Sequence, residues 1–294
     1  FMTGCDTQQE EQITVGVLLP MSGPFANYGS DYRNGMELAV AETGSQIKLM
    51  YEDSMGDNTK AIAGFQKLMN IDKAPIVITA TSWISNALSP FAAENNVLQI
   101  AVASAAFKRS SEPSHAVKWT VDVADEETYL SQYLSQFAKI AIISLNNDFG
   151  LEWTNALSKR FGKNIVAAET FNAEDMDIST QLTKIKSQNP DVLVIISTGR
   201  EAGLVAKRAR ELDIQAQLVG QRTIGTPELL QEKEAVEGLI FSSPTYNASH
   251  PFVEKYQQTY GKMPSVFAVE GYDAVVSLAD AIQTCRNDMD CIYN

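Results

Sequence analysis

Short apolar runs alternate with amphipathic helical stretches along almost the whole 294-residue chain. The run Ile13–Leu19, apolar except at Thr14 and Gly16, predicts a buried strand. Tyr32, Met36, Ala39 and Val40 then share one face of a helix over roughly 31–42. A strand at Ile47–Tyr51 and a helix carrying Ala61, Phe65, Leu68 and Met69 follow, the helix capped by Asn58 or Thr59. Ile76–Thr79 and Leu98–Val102 predict two more strands, with a helix between them from about 85 to 94. The second half repeats the alternation. Leu130, Tyr133, Leu134 and Phe137 form a helical stripe before the strand Ile140–Leu145, and a helix over 151–161 leads to Ile165–Thr170. Leu182 and Ile185 mark a short helix, and Val192–Ser197 reads as a fully buried strand. A helix through Val205, Ala209 and Leu212, short strands at Leu218–Gly220 and Leu239–Ser242, and helices at Val253–Tyr260 and Ala268–Gln283 complete the pattern.

Apolar strands that are each followed by a helix predict parallel sheets covered on both faces. Two such runs, joined near 120–127 and again near 241–247, predict an α/β protein of two Rossmann-like, doubly wound lobes. Residues 13–120 with 246–294 would form the first lobe, 121–245 the second, and 1–12 a linker. Ligands of such folds sit beyond the carboxyl ends of the strands, here in the cleft between the lobes.

Composition removes several functions. Thirty-six acidic residues against 23 basic ones leave a net charge of −13, the wrong sign for binding a phosphate backbone, so no nucleic-acid partner is expected. No apolar run is long enough to span a bilayer. The segment Phe1-Met2-Thr3-Gly4-Cys5, followed by a polar stretch, resembles the end of a bacterial lipoprotein signal peptide. On that reading Cys5 is the lipid-modified residue, and the membrane is met only through this anchor. Cys285 and Cys291 could then close a small disulfide loop in an oxidising compartment. His115 and His250 are the only histidines and neither lies near the cysteines, so no metal site is expected.

Catalytic motifs are missing as well. The chain contains no G-x-S-x-G, no G-x-x-x-x-G-K-[ST] and no G-x-G-x-x-G. The acidic residues Glu52, Asp53 and Asp57 lack calcium-loop spacing and read as a solvated loop after a strand. Glu174, Asp175 and Asp177 read as a polar surface turn. What remains are strand-end loops rich in hydroxyls. Thr81-Ser82-Trp83-Ile84-Ser85 lies between a strand and a helix start, where free N–H groups and the positive dipole end suit a carboxylate. Ala103-Ser104-Ala105 follows the next strand in the same way.

These features, with Val15-Gly16-Val17-Leu18-Leu19-Pro20-Met21-Ser22-Gly23-Pro24, Tyr28-Gly29, Gly35, residues 51–57, Asn147-Asp148-Phe149-Gly150 and Glu270-Gly271-Tyr272-Asp273-Ala274, resemble the leucine/isoleucine/valine-binding-protein family of type I periplasmic binding proteins. The resemblance runs from about residue 12 to 283 and implies a non-enzymatic solute-binding lipoprotein that closes on an amino acid or small carboxylate and delivers it to an ABC permease. It implies a monomer, held at the periplasmic or outer face of a bacterial membrane, with no cofactor. The same fold also serves as the sensing domain of receptors and regulators, which is the alternative. Carried over by motif, Tyr28 stands as an aromatic wall and Ser82 as the carboxylate-holding serine, with Ala103, Ser104 and Ala105 beside it. Ala105 replaces a usual threonine, a hydroxyl that Ser104 could supply. Phe149, Thr198 and Arg222 fall at second-lobe contact positions. Amino-acid binders of the family place an acid where Arg222 stands. Either the ligand carries a second acidic or acceptor group, or Arg222 points to solvent on an exposed loop. The family also continues for several tens of residues beyond the helix ending near Gln283, where this chain stops at Asn294.

Overall fold

A computed structural model describes residues 12–44, 46–109, 115–175, 177–286 and 288–293. Cys5 and the linker up to residue 11 lie outside the described residues. The first unit runs β1 (Ile13–Leu19), α1 (Ala26–Thr43), β2 (Ile47–Asp53), α2 (Asn58–Asn70), β3 (Ile76–Ala80), α3 (Ser82–Glu94), β4 (Leu98–Val102) and β5 (Ala116–Trp119). The second runs α4 (Val123–Leu134), β6 (Ile140–Leu145), α5 (Asp148–Phe161), β7 (Ile165–Phe171), α6 (Ser179–Ser187), β8 (Val192–Ile196), α7 (Gly199–Glu211), β9 (Gln217–Gly220) and β10 (Ile240–Phe241). The chain then returns through α8 (Pro251–Tyr260), α9 (Val266–Cys285) and α10 (Met289–Tyr293).

Both sheets are wholly parallel, ordered β2-β1-β3-β4-β5 and β10-β9-β8-β6-β7. Read in chain order, each has the same doubly wound arrangement, with its reversal between the first and third strands. Alternate residues explain why the strands read as continuous apolar runs. Val15, Val17, Ile76 and Ile78 face α1 and α9, while Leu18 and Val77 face α2 and α3. In the second sheet Ala141, Ile143, Leu193 and Ile195 face α6 and α7, and Ile140, Ile142, Val192 and Val194 face α4 and α5. Through Phe267, Ala274, Val275 and Leu278, α9 rejoins the core of the first sheet.

The helix starts differ from the sequence expectation in a consistent direction: α1, α3, α4, α5 and α7 begin several residues earlier than their apolar stripes. Their first turns are polar and sit at strand ends. The joint expected over 120–127 accordingly contains the first turn of α4, and the short strand β5, with Lys118 inside it, is an addition. The cap of α2 is Asp57, which accepts from Lys60 N at 2.9 Å. Asp53 accepts from Met21 N at 2.8 Å and from the Ser22 hydroxyl at 2.6 Å, tying the β1–α1 loop to β2. The expectation of a merely solvated acidic loop is therefore corrected for both residues, because each answers specific backbone donors. Burial opposes ionisation of Asp53, but its hydrogen bonds from Ser22, Met55 and Met21 hold the carboxyl below its ordinary range.

Two glycines set the framework of the site. A Cβ on Gly35 would lie 2.0 Å from the Ala268 carbonyl oxygen, so α1 and α9 cross at contact only because that Cβ is missing. At Gly150 a Cβ would lie 1.9 Å from Leu145 O, which lets α5 start tightly against the end of β6. Cys285 and Cys291 are joined as a disulfide with Cα atoms 5.6 Å apart, closing the chain between α9 and α10.

Candidate functional site

The carboxyl ends of β1, β3 and β4 face those of β6, β8 and β9 across a cleft of about 590 Å³, its opening to solvent included. The cleft therefore sits at the reversal point of both sheets at once.

On the first-lobe side the wall is the start of α3. Its N-cap, Thr81, makes no capping bond, its hydroxyl has no partner, and the residue is 7% exposed. Thr81 also holds a φ of 72°, and Ala103 on the neighbouring strand end holds 48°. Left-handed backbone at two non-glycine residues of one wall stores strain of about 1–3 kcal/mol each, a feature concentrated at ligand clamps. The Ser82 hydroxyl accepts from Ala106 N at 3.1 Å and retains its own proton to donate. Behind this wall lies a neutral ladder. Thr79 Oγ1, Ser85 Oγ and Ser104 Oγ are linked at 2.9 and 2.8 Å, and Gln99 Nε2 donates to Thr79 Oγ1 and Ser85 O.

On the second-lobe side stand Leu145, Asn147, Phe149, Ser197, Thr198, Arg222 and Thr223. Thr198 is the N-cap of α7 and makes no capping bond, and its buried hydroxyl and Gly199 N lie beside the Tyr28 hydroxyl. The two walls thus present one uncapped helix N-terminus each. Aromatic rings fill the space between: Phe25 and Trp83 lie 5.1 Å apart by centroids, Tyr28 and Phe267 4.7 Å, and Tyr32 and Phe267 5.8 Å. Tyr28 crosses the cleft, donating from its hydroxyl to Thr223 O at 2.7 Å. Burial pushes that phenol far above the ordinary tyrosine range, so it remains a donor. Asn86 Nδ2 to Asp148 Oδ2, at 2.7 Å, and the Lys108–Glu152 pair at 3.2 Å also join the lobes.

Arg222 lines the cleft and does not point to solvent. Its side chain is 2% exposed, so it is not on a solvated loop, and it already has two carboxylate neighbours. Nε lies 3.7 Å from Glu126 Oε2, and Nη1 lies 3.7 Å from Glu270 Oε1. Nη2 donates to Thr120 Oγ1 at 2.7 Å and to Val121 O at 3.3 Å, both in the first crossover between lobes. Thr120 in turn donates to Glu270, as does the Tyr32 hydroxyl. Glu126 Oε1 accepts from Arg222 N and from Ser242 Oγ, the latter in the second crossover. The guanidinium is thus the centre of a cluster joining both crossovers and both lobes; its carboxylate neighbours stand 3.7 Å away, and its buried Nε and Nη1 make no hydrogen bond. Burial raises the Glu270 carboxyl, while Arg222, Tyr32 and Thr120 pull it back down.

Of the residues expected from sequence, Tyr28, Ser82, Ala103, Phe149, Thr198 and Arg222 line one cleft. Ser104 and Ala105 do not. The Ser104 hydroxyl turns inward to Ser85 Oγ and Val102 O, so it does not replace the threonine that Ala105 lacks. The lining residues Thr81 and Trp83 lie in the loop marked from sequence as suited to a carboxylate, whereas Tyr32, which reads as a core position, and Phe267 were not expected there. Glu270, a lone acid facing inward on the otherwise apolar start of α9, was the one available signal for the charged cluster.

A cleft between two matched doubly wound lobes, walled by rings and opened by helix N-termini, defines a two-lobed binding protein. Residues 12–290 match the family model for periplasmic binding proteins, and the chain belongs to that family. It is similar to the Leu/Ile/Val-binding protein of Escherichia coli K12, with 24% identity over 287 residues, 91% of this chain and 78% of that one. A solved extracellular ligand binding receptor from Desulfohalobium retbaense is 37% identical with a TM-score of 0.90, over 96% of this chain and 52% of that chain. The chain thus spans about half the length of that receptor. A branched-chain amino acid transporter substrate binding protein from Streptococcus pneumoniae, solved with isoleucine, is 25% identical with a TM-score of 0.83 over 96% of this chain and 87% of that one. Among the described residues no helix is long and apolar enough to cross a membrane.

Proposed function

We propose that this chain is the extracytoplasmic solute-binding component of an ABC-type importer, binding an amino acid or related small carboxylate by hinge closure, and that it is not an enzyme. The observation that carries the reading is the start of α3: a strained, uncapped Thr81 with a buried, unpartnered hydroxyl, beside Ser82, in a cleft between lobes. The first-turn N–H groups of a helix lack intrahelical partners and favour an anion, and an extra hydroxyl donor sharpens that preference. Similarity to Leu/Ile/Val-binding proteins supports the transport role. The ligand carboxylate meets Thr81, Ser82 and the backbone at Ala103, and the second lobe closes with Phe149 and Thr198 while Tyr28 latches onto Thr223. The lobes divide near 120 and 245, the protein acts as a monomer with a permease as partner, and Cys5 carries the lipid anchor. A solute panel tested by thermal shift and small-angle X-ray scattering checks this. A cognate carboxylate at about 100 times its Kd should add roughly 2.7 kcal/mol of stability and compact the particle. Binding with unchanged radius of gyration in every case would refute closure.

A further inference from the structure

We infer that the solute of this cleft is a carboxylic acid with an aromatic or bulky apolar body and no ammonium group. The inference rests on the carboxylate-anchored reading above and narrows it. Among the described residues lining the cleft there is no aspartate or glutamate, and the one charged side chain is the Arg222 guanidinium. A zwitterion closed into this space would bring an ammonium beside a fixed cation with no facing carboxylate. Glu126 and Glu270 do not serve, because neither lines the cleft and both are engaged by Arg222, Thr120, Tyr32 and Ser242. A desolvated ammonium left without such a partner is strongly disfavoured.

The rest of the wall fits an apolar body. Phe25, Tyr28, Tyr32, Trp83, Phe149 and Phe267 contribute six rings, and Pro20, Ala80 and Leu145 add aliphatic surface. The helix starts supply polar anchors through Thr81 with Ser82 and through Thr198, and Asn147, Ser197 and Thr223 add polar groups on the second-lobe side. One end of the ligand is therefore held as an anion at α3, and its body lies among the rings. Thr198 is left for at most a neutral acceptor such as a ring hydroxyl or carbonyl.

Isothermal titration of the whole chain with paired probes tests this: 3-phenylpropionate against L-phenylalanine, 4-methylpentanoate against L-leucine, and glycine betaine as a cationic carboxylate. Each pair differs only by the ammonium. The expected result is that at least one deaminated acid binds about tenfold or more tightly than its amino acid and than betaine. An amino acid or betaine that binds as tightly as the acids overturns the inference and leaves the carboxylate-anchored binder standing. Failure of every carboxylate to bind overturns both together.

Discussion

Two buried polar networks support the cleft, one of neutral groups inside a single lobe and one of charges that spans the hinge. Thr79, Ser85, Gln99 and Ser104 form the first, beneath α3, and every member is fully buried. Arg222, Glu126, Glu270, Thr120 and Tyr32 form the second, across both crossovers. The neutral ladder lies within one lobe, so its composition does not depend on how the lobes are placed, and it can keep the α3 wall rigid. Members of the charged cluster come from different lobes, so opening the cleft must rearrange them. Charges also cost far more than hydroxyls to leave unpaired in a dry interior. A rigid anchor and a hinge-sensitive cluster are thereby separated within one site.

The comparison predicts unequal responses to losing one member. Arg222→Met leaves Glu126 and Glu270 buried without their cation and should cost about 3–5 kcal/mol of stability at neutral pH by chemical denaturation. Part of that loss should return on acidification, as the stranded carboxylates take up protons. Ser85→Ala removes the middle rung of the ladder and should cost about 1–3 kcal/mol, with no dependence on pH. If the two variants lose stability equally, or both losses vary with pH, the division between neutral and charged networks fails.

Tyr28→Phe probes the boundary between them at a smaller scale. It deletes only the hydroxyl that crosses to Thr223 O and keeps the ring on Phe267. About 1 kcal/mol of closed-state stabilisation should be lost, weakening ligand binding about fivefold while the unfolding midpoint of each lobe stays unchanged. Scattering at saturating ligand should still show closure. A variant that binds like the wild type would show that the bond follows closure without stabilising it.

The strands were legible because both faces of each sheet are covered, which turns every central strand into an apolar run bounded by polar loops. The edge strand β5 was hidden because Val117 is exposed and the half-buried Lys118 is charged, which breaks that pattern. Helix starts were hidden by the same chemistry that makes them useful: Thr81-Ser82 and Thr198-Gly199 are polar because they face the cleft. Ser82, Phe149 and Thr198 were named through the family resemblance, whose motifs mark these strand-end positions. The state of Arg222 could not. Its partners are 96 residues earlier and 48 residues later in sequence, differences taken from Glu126, Arg222 and Glu270. Glu270 is marked locally only as an acid on an apolar helix start, and nothing in sequence ties it or Glu126 to Arg222.

The smallest expected effect is in the wild-type pH profile, and it bears on the charged network alone. Glu270 has a folded pKa above its ordinary value of 4.5, chiefly through burial, with Arg222 opposing the shift. Across the interval from that ordinary value up to the raised one, the folded protein holds a proton that the unfolded chain has released. Stability from Glu270 is therefore full below 4.5 and declines as pH rises through the folded pKa. Asp53 behaves oppositely: its lowered pKa supplies stability above 3.8 that is lost as pH falls below it. Glu270→Gln should flatten only the upper limb and leave the acid limb of Asp53 in place. Because Arg222, Tyr32 and Thr120 oppose what burial does to Glu270, the flattening should be slight. Denaturation midpoints for wild type, Glu270→Gln and Ser85→Ala across this range separate the networks directly. The Ser85→Ala curve should run parallel to the wild type, and a convergence of those two curves would mean that the hydroxyl ladder is coupled to the charged hinge after all.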